Sequence, residues 1–241
     1  MLTLEAMMLA FLAVAGWVRQ TSGPFRPHPL SAFDKSKAAA LLDSRLPCLG
    51  CHELNGRGGR IGPPLTELRT RRSPDYVYAM ITDPQRAAPG TVMPRVPMSR
   101  GMVDLIASYL LEGSGPAAPP EPARPKTSSG AAPTGPAVPA DPAALYARFC
   151  SACHGAQGNG DGPNAVFLRV RPAAHASADA MSARSDDALF DTIYAGGYVM
   201  NRSNFMPPFG ETLTREHIWM LVRYIRSLCH CQGPAWSRNH R

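Results

Sequence analysis

Two short stretches of this chain share one pattern: CLGCH at residues 48–52 and CSACH at residues 150–154. The shared pattern, C-x-x-C-H, is typical of c-type haem attachment. Its two thiols lie about one helical turn apart, so both can add to vinyl groups of the same porphyrin. The histidine that follows then reaches the iron as an axial ligand. The sequence therefore predicts two haem-attachment sites, formed by Cys48, Cys51 and His52 and by Cys150, Cys153 and His154.

Other uses of paired cysteines fit this chain less well. A zinc ribbon places its CxxC pairs about 15–20 residues apart, whereas the pairs here begin at residues 48 and 150. A thioredoxin-like CxxC belongs to a βαβ pattern, and strand signals are nearly absent. Six cysteines in 241 residues are too few for a disulfide scaffold. Haem attachment is thus the interpretation that both motifs support.

Shifts in composition predict five segments. Residues 1–22 contain an apolar run that fits an export signal, and haem c is assembled outside the cytoplasm. Since no Lys or Arg precedes Arg19, an uncleaved anchor, a start codon placed too late and a buried helix stay open. The other expected segments are a first haem domain at 23–112, a Pro/Ala-rich linker at 113–140, a second haem domain at 141–235 and a tail at 236–241.

Helical periodicity dominates both halves, which predicts an all-α fold. Near the end of each half, apolar residues recur at helical spacing, from Val103 to Leu110 and from Ile218 to Ile225. Further helices are expected over 38–46, after the Asp141-Pro142 pair and over 185–195. The repeated motif and the repeated helix indicate tandem domains.

Each iron needs a ligand on its second face, and methionine suits a high-potential electron carrier. Met93 and Met206 are the candidates, because each is followed by a proline in a loop ahead of the last helix of its half. Met102 and Met200 are weaker rivals. His175 offers a bis-histidine alternative, but its place in a loop favours a solvated side chain.

These motifs, the Met-Pro loops and the two terminal helices resemble class I c-type cytochromes in the tandem diheme form, over residues 36–112 and 141–229. The resemblance implies two tandem class I cytochrome c domains, in each of which the first and last helices cross beside the haem. It also implies that the carbonyl oxygens of Pro63 and Pro163 accept hydrogen bonds from His52 and His154 and so orient these ligands.

Two covalently bound haem c groups without an open coordination position indicate electron transfer between respiratory redox partners outside the cytoplasm. A subunit of a larger respiratory or dehydrogenase complex is the main alternative. A diheme enzyme, such as a peroxidase or a thiosulfate dehydrogenase, is the second. The formal net charge of +7 favours partners with acidic docking surfaces, and no nucleic-acid-binding motif accompanies it.

The chain ends with a Cys-x-Cys pair that the resemblance does not explain. Cys229 and Cys231 can form a local disulfide, an interchain bridge or a metal site, and the sequence does not choose among them.

Overall fold

The structure is a computed structural model, and it describes residues 23–112, 119 and 137–237. The expected export segment at 1–22, most of the expected linker and residues 238–241 lie outside this part of the chain. The α-helices of the N-terminal half are α1 (Ala32–Ser44), α2 (Cys48–Cys51), α3 (Leu68–Arg71), α4 (Pro74–Thr82), α5 (Pro84–Ala87) and α6 (Arg100–Leu110). Those of the C-terminal half are α7 (Pro142–Phe149), α8 (Ser151–His154), α9 (Ala178–Ser182), α10 (Asp186–Ala195) and α11 (Arg215–Cys229).

Side-chain caps define where the longer helices begin. Ser31, Ser99, Asp141 and Ser185 each accept a hydrogen bond from the backbone amide three residues ahead. Such a bond satisfies one of the amides that a helix start leaves unpaired. After Asp141, a proline occupies the first turn of α7, where its missing N–H costs nothing. The expected helix starts in the C-terminal half agree with these caps.

In the N-terminal half, α1 packs against α6 around one hydrophobic cluster. Its fully buried members include Leu42, Ile106 and Leu111. Helix α4 packs against the same terminal helix α6 and contributes Val77. The short helix α2 follows α1 directly, so the first CxxCH motif is held at the edge of this cluster.

In the C-terminal half, α7 and α10 pack against α11 around a second cluster. Leu145, Tyr146, Leu221 and Ile225 are almost entirely inaccessible to solvent. The pairing of the first and last helix in each half agrees with what the class I resemblance implies. As in the first half, the short motif helix α8 directly follows the first long helix.

Three details differ from the sequence-based expectation. Helix α1 begins at Ala32, ahead of the expected residue 38, because Ser31 supplies its cap. Helix α4 was not expected, although Ser73 caps it and Pro74 occupies its first turn. A short antiparallel ladder of Glu53–Leu54 and Arg57–Gly58 follows the first motif. Within the described residues, every helix is too short or too polar to cross a bilayer.

Candidate haem-attachment sites

The four cysteines of the two motifs are free thiols. Cys48 and Cys51 are the first and last residues of α2, and Cys150 immediately precedes α8, which contains Cys153. One helical turn therefore separates the two thiols of each pair, as attachment to two vinyl groups of one porphyrin requires. The spacing of the two cysteines in each CxxCH motif therefore fits a covalently held haem.

Burial keeps these thiols protonated. It raises the pKa of Cys48 to about 11 and, with the neighbouring thiols of Cys153 and Cys48, raises that of Cys51 to about 12. Burial also raises the pKa of Cys150 to about 12. Desolvation disfavours the charged thiolate in each case.

His52 is held by the backbone loop that follows its motif. Its Nδ1 donates to the carbonyl oxygen of Pro63 at 2.7 Å, the acceptor that the resemblance implies. This bond places the proton on Nδ1 and leaves Nε2 as the nitrogen available to iron. Gly62 lies flat against the imidazole, and a Cβ at this position would collide with the ring.

The expectation for Pro163 is wrong, because His154 Nδ1 donates instead to the carbonyl oxygen of Ala173 at 2.9 Å. The segment around Pro163 is bound back onto the motif, since the Gly162 amide donates to Cys153 O and the Asn164 amide to Ala152 O. The carbonyl group that reaches the His154 ring belongs to Ala173, ten residues after Pro163. The chemical outcome is the same, with Nδ1 protonated and Nε2 left for iron.

His175 is not the solvated loop residue that the sequence suggests. Its ring stacks on that of His154 with centroids 4.0 Å apart, and its Nδ1 is 3.0 Å from the Tyr146 hydroxyl. Burial, with smaller effects from the adjacent His154 ring and the Arg184 guanidinium group, holds the pKa of His175 well below its usual value. Because the His175 ring stacks on the face of the His154 ring, His175 lies beside this histidine and not opposite its Nε2.

The two candidate methionines lie in half-buried loop positions. Met206 packs against the second cluster, as Cys150 also does, and its carbonyl oxygen accepts from the Gly197 amide at 2.9 Å. The Met93 carbonyl oxygen accepts from Gln85 Nε2 at 2.7 Å. The rival Met102 lies on α6 and packs against the first cluster, which is the position of a core residue.

One buried side chain that sequence reasoning missed connects the two motifs. Asn164 is 3 % exposed, and its Nδ2 donates to the Gly50 carbonyl oxygen at 2.8 Å and to Cys153 Sγ at 3.3 Å. Its Oδ1 accepts from the Arg60 amide at 2.6 Å. Gly59 allows this approach, because a Cβ there would overlap the Asn164 amide. Both motif segments are therefore joined through a single amide.

The C-terminal cysteine pair forms a local disulfide between Cys229 and Cys231. Of the three possibilities open from the sequence, the structure shows this one. Among the described residues, no group of three His, Cys, Asp or Glu side chains is arranged to hold a metal ion.

Residues 137–225 match the family model of cytochrome c oxidase, cbb3-type, subunit III. This match supports a c-type cytochrome, and the helix-rich structure fits a cytochrome c fold. A domain of this kind carries covalently bound haem c and transfers electrons, and such domains are typically extracytoplasmic. No curated protein and no solved structure gives a significant match to this chain.

Proposed function

We propose that the protein is a diheme c-type cytochrome with two tandem domains, which transfers electrons between respiratory redox partners outside the cytoplasm. The observation that carries this proposal is the hydrogen bond from His52 to Pro63. In the half that the family model matches, His154 has the same type of bond, from Nδ1 to a loop carbonyl oxygen. The N-terminal half therefore repeats the type of hydrogen bond that holds the motif histidine of the C-terminal half.

The proposed sites use two cysteines, one histidine and one methionine each. Cys48 and Cys51 hold the first haem, with His52 and Met93 as axial ligands. Cys150 and Cys153 hold the second, with His154 and Met206. When bound, haem c supplies one-electron exchange between ferric and ferrous iron. The chain fixes each imidazole through its Nδ1 bond and supplies a thioether from a loop, a ligand type that raises the reduction potential.

The arrangement of the motifs favours electron transfer between the two sites within one chain. Asn164 bonds to the backbone of the first motif and to a thiol of the second. Two such sites can accept electrons at one domain and deliver them from the other. The excess of basic residues suits partners with acidic docking surfaces.

The family match favours a second candidate, a cytochrome c subunit of a larger respiratory complex. The matching family is described as a subunit of a cbb3-type cytochrome c oxidase. In this case the haem sites are the same, but the electron partner is permanently bound. Purification in mild detergent separates the two functions: co-purifying subunits in fixed ratio support the complex, and a single chain supports the independent carrier.

Potentiometric titration of the haem-loaded chain, monitored through its optical spectrum, tests the proposed electron-carrier function. We expect two one-electron steps per chain. We also expect ferric protein that does not bind added cyanide rapidly, because both axial positions are filled by protein side chains. Rapid cyanide binding by the native ferric protein would instead show an open iron and favour an enzyme.

A further inference from the structure

The loop that carries Met206 is bonded to the N-terminal half of the chain. Asn204, two residues before Met206, donates from Nδ2 to the Leu46 carbonyl oxygen at 3.1 Å and to that of Asp43 at 3.4 Å. The neighbouring Phe205 lies with its carbonyl oxygen so close to Gly50 that a Cβ at Gly50 would collide with it. The end of α1 and the first CxxCH motif thus form the support of this loop.

The loop that carries Met93 is bonded in turn to the C-terminal half. Two residues after Met93, the Arg95 amide donates to Thr212 Oγ1 at 3.0 Å. Three residues before it, the Gly90 carbonyl oxygen accepts from Arg148 Nη2, also at 3.0 Å. Arg148 lies at the end of α7, and Thr212 lies three residues before the start of α11. Both sides of the Met93 loop are therefore held by the opposite half.

We propose that each half of the chain braces the methionine loop of the other half, so that axial ligation at each iron depends on the docking of the two halves. Asn204 is the positioning residue for Met206, and Thr212 is the positioning residue for Met93. This inference rests on the proposed function, since it takes both methionines as iron ligands.

The physical reason is the conformational freedom of the loops. Neither Met93 nor Met206 lies in a helix or strand, so no helical hydrogen bonds fix their backbone. Ordering a loop costs conformational entropy, and bonds to the opposite half offset part of this cost. Loss of a brace frees the loop and weakens the iron–thioether bond. Since methionine ligation raises the potential of haem c, the potential of the affected haem falls.

Two variants of the full haem-loaded chain test this reciprocity, and each is the control for the other. Asn204→Ala removes the donor that braces Met206, and Thr212→Val removes the acceptor that braces Met93 without changing the side-chain shape. Proton NMR of the ferrous protein reports each ligated methionine through its shifted methyl signal. Met206→Ala and Met93→Ala assign the two signals, and redox titration gives the potential of each haem.

We expect Asn204→Ala to displace or broaden only the Met206 signal and to lower only the potential of the second haem. Thr212→Val should change only the Met93 methyl signal and the potential of the first haem. Thr212→Ser keeps the hydroxyl group and should show the parent signal and the parent potential. If Asn204→Ala does not fold, Asn204→Asp keeps the shape, removes the donor and is read in the same way.

Unchanged methyl signals and haem potentials in both variants would contradict the proposal that each half braces the other's methionine loop. They would not contradict the proposed function. Equal disturbance of both signals by either variant would also overturn the bracing, because that result indicates general destabilisation. A parent protein that lacks both methyl signals would remove the ligand assignment itself, and the bracing with it.

Discussion

The side-chain amide of Asn164 donates a 2.8 Å hydrogen bond to the backbone carbonyl oxygen of Gly50, from which it is separated by 114 residues. The acceptor lies inside the first CxxCH motif, and the donor follows the second. The same buried side chain bonds to the Arg60 amide and to Cys153 Sγ. A single amide thus links the two places where the chain is expected to attach haem.

Replacing Asn164 by alanine should destabilise the contact between the halves. The change leaves the buried Gly50 carbonyl oxygen and the part-buried Arg60 amide without their partner, and a fully buried unsatisfied group costs about 1–3 kcal/mol. We expect the free energy of unfolding to fall by about 2–4 kcal/mol in chemical denaturation. Gln157→Ala, at an exposed position, is the control and should change stability by less than about 0.5 kcal/mol. Equal stability of the two variants would contradict the role given to Asn164.

Two glycine-to-alanine changes should have opposite effects on the free energy of unfolding. At Gly62 the added Cβ collides with the His52 imidazole, so Gly62→Ala should displace this proposed iron ligand and lower the free energy of unfolding by about 1–3 kcal/mol. At Gly101, which is exposed in α6, the added Cβ meets nothing within 4 Å. Gly101→Ala should therefore stabilise the protein by about 0.5–1 kcal/mol through helix propensity.

Thermal unfolding and the optical spectrum of the ferric protein distinguish these two glycine variants. We expect a changed spectrum at one haem in Gly62→Ala and an unchanged spectrum in Gly101→Ala. A Gly62→Ala variant with the parent spectrum and stability would show that His52 does not depend on this close approach.

Arg226 should be sensitive even to a change that keeps its charge. Its guanidinium group donates to the Asp186 carboxylate at 2.8 Å and to the carbonyl oxygens of Met181 and Arg184. Its side chain is 13 % exposed, and it joins α11 to α9 and α10. A lysine cannot reproduce this planar set of donors.

We expect Arg226→Lys to lower the free energy of unfolding by about 1.5–3 kcal/mol, since bonds of this strength are lost with a charged donor. Arg223→Lys, at an exposed position on the same helix, is the matched control and should be close to neutral. The chemical denaturation midpoints of the two variants make this comparison. A neutral Arg226→Lys would mean that the three bonds contribute little.

The features that could be predicted from the sequence are those with a side-chain signal. The spacing of the cysteines and histidines predicts the two haem-attachment motifs. The capping residues Asp141 and Ser185 predict the starts of helices α7 and α10. Helix α4 carries a comparable signal in its capping residue Ser73 and in Pro74 at its first turn.

What could not be predicted depends on backbone groups, which every residue carries. The acceptor of the His154 bond is the carbonyl oxygen of Ala173, and no property of an alanine side chain marks it. Three glycines with positive φ, at residues 155, 158 and 160, shape the loop after the second motif. The contacts of Asn164 and Asn204 also end on distant backbone carbonyls, so neither residue is marked by its neighbours in the sequence.

The number of haems per chain is the measurement on which this account depends above all, and the pyridine haemochrome assay gives it for protein exported to an oxidising compartment. We expect two haems in the parent chain and one in each of the double variants Cys48→Ser/Cys51→Ser and Cys150→Ser/Cys153→Ser. Cys229→Ser/Cys231→Ser, which removes the disulfide pair, is the control and should keep two. A parent chain with a single haem that survives the loss of Cys48 and Cys51 would contradict the account.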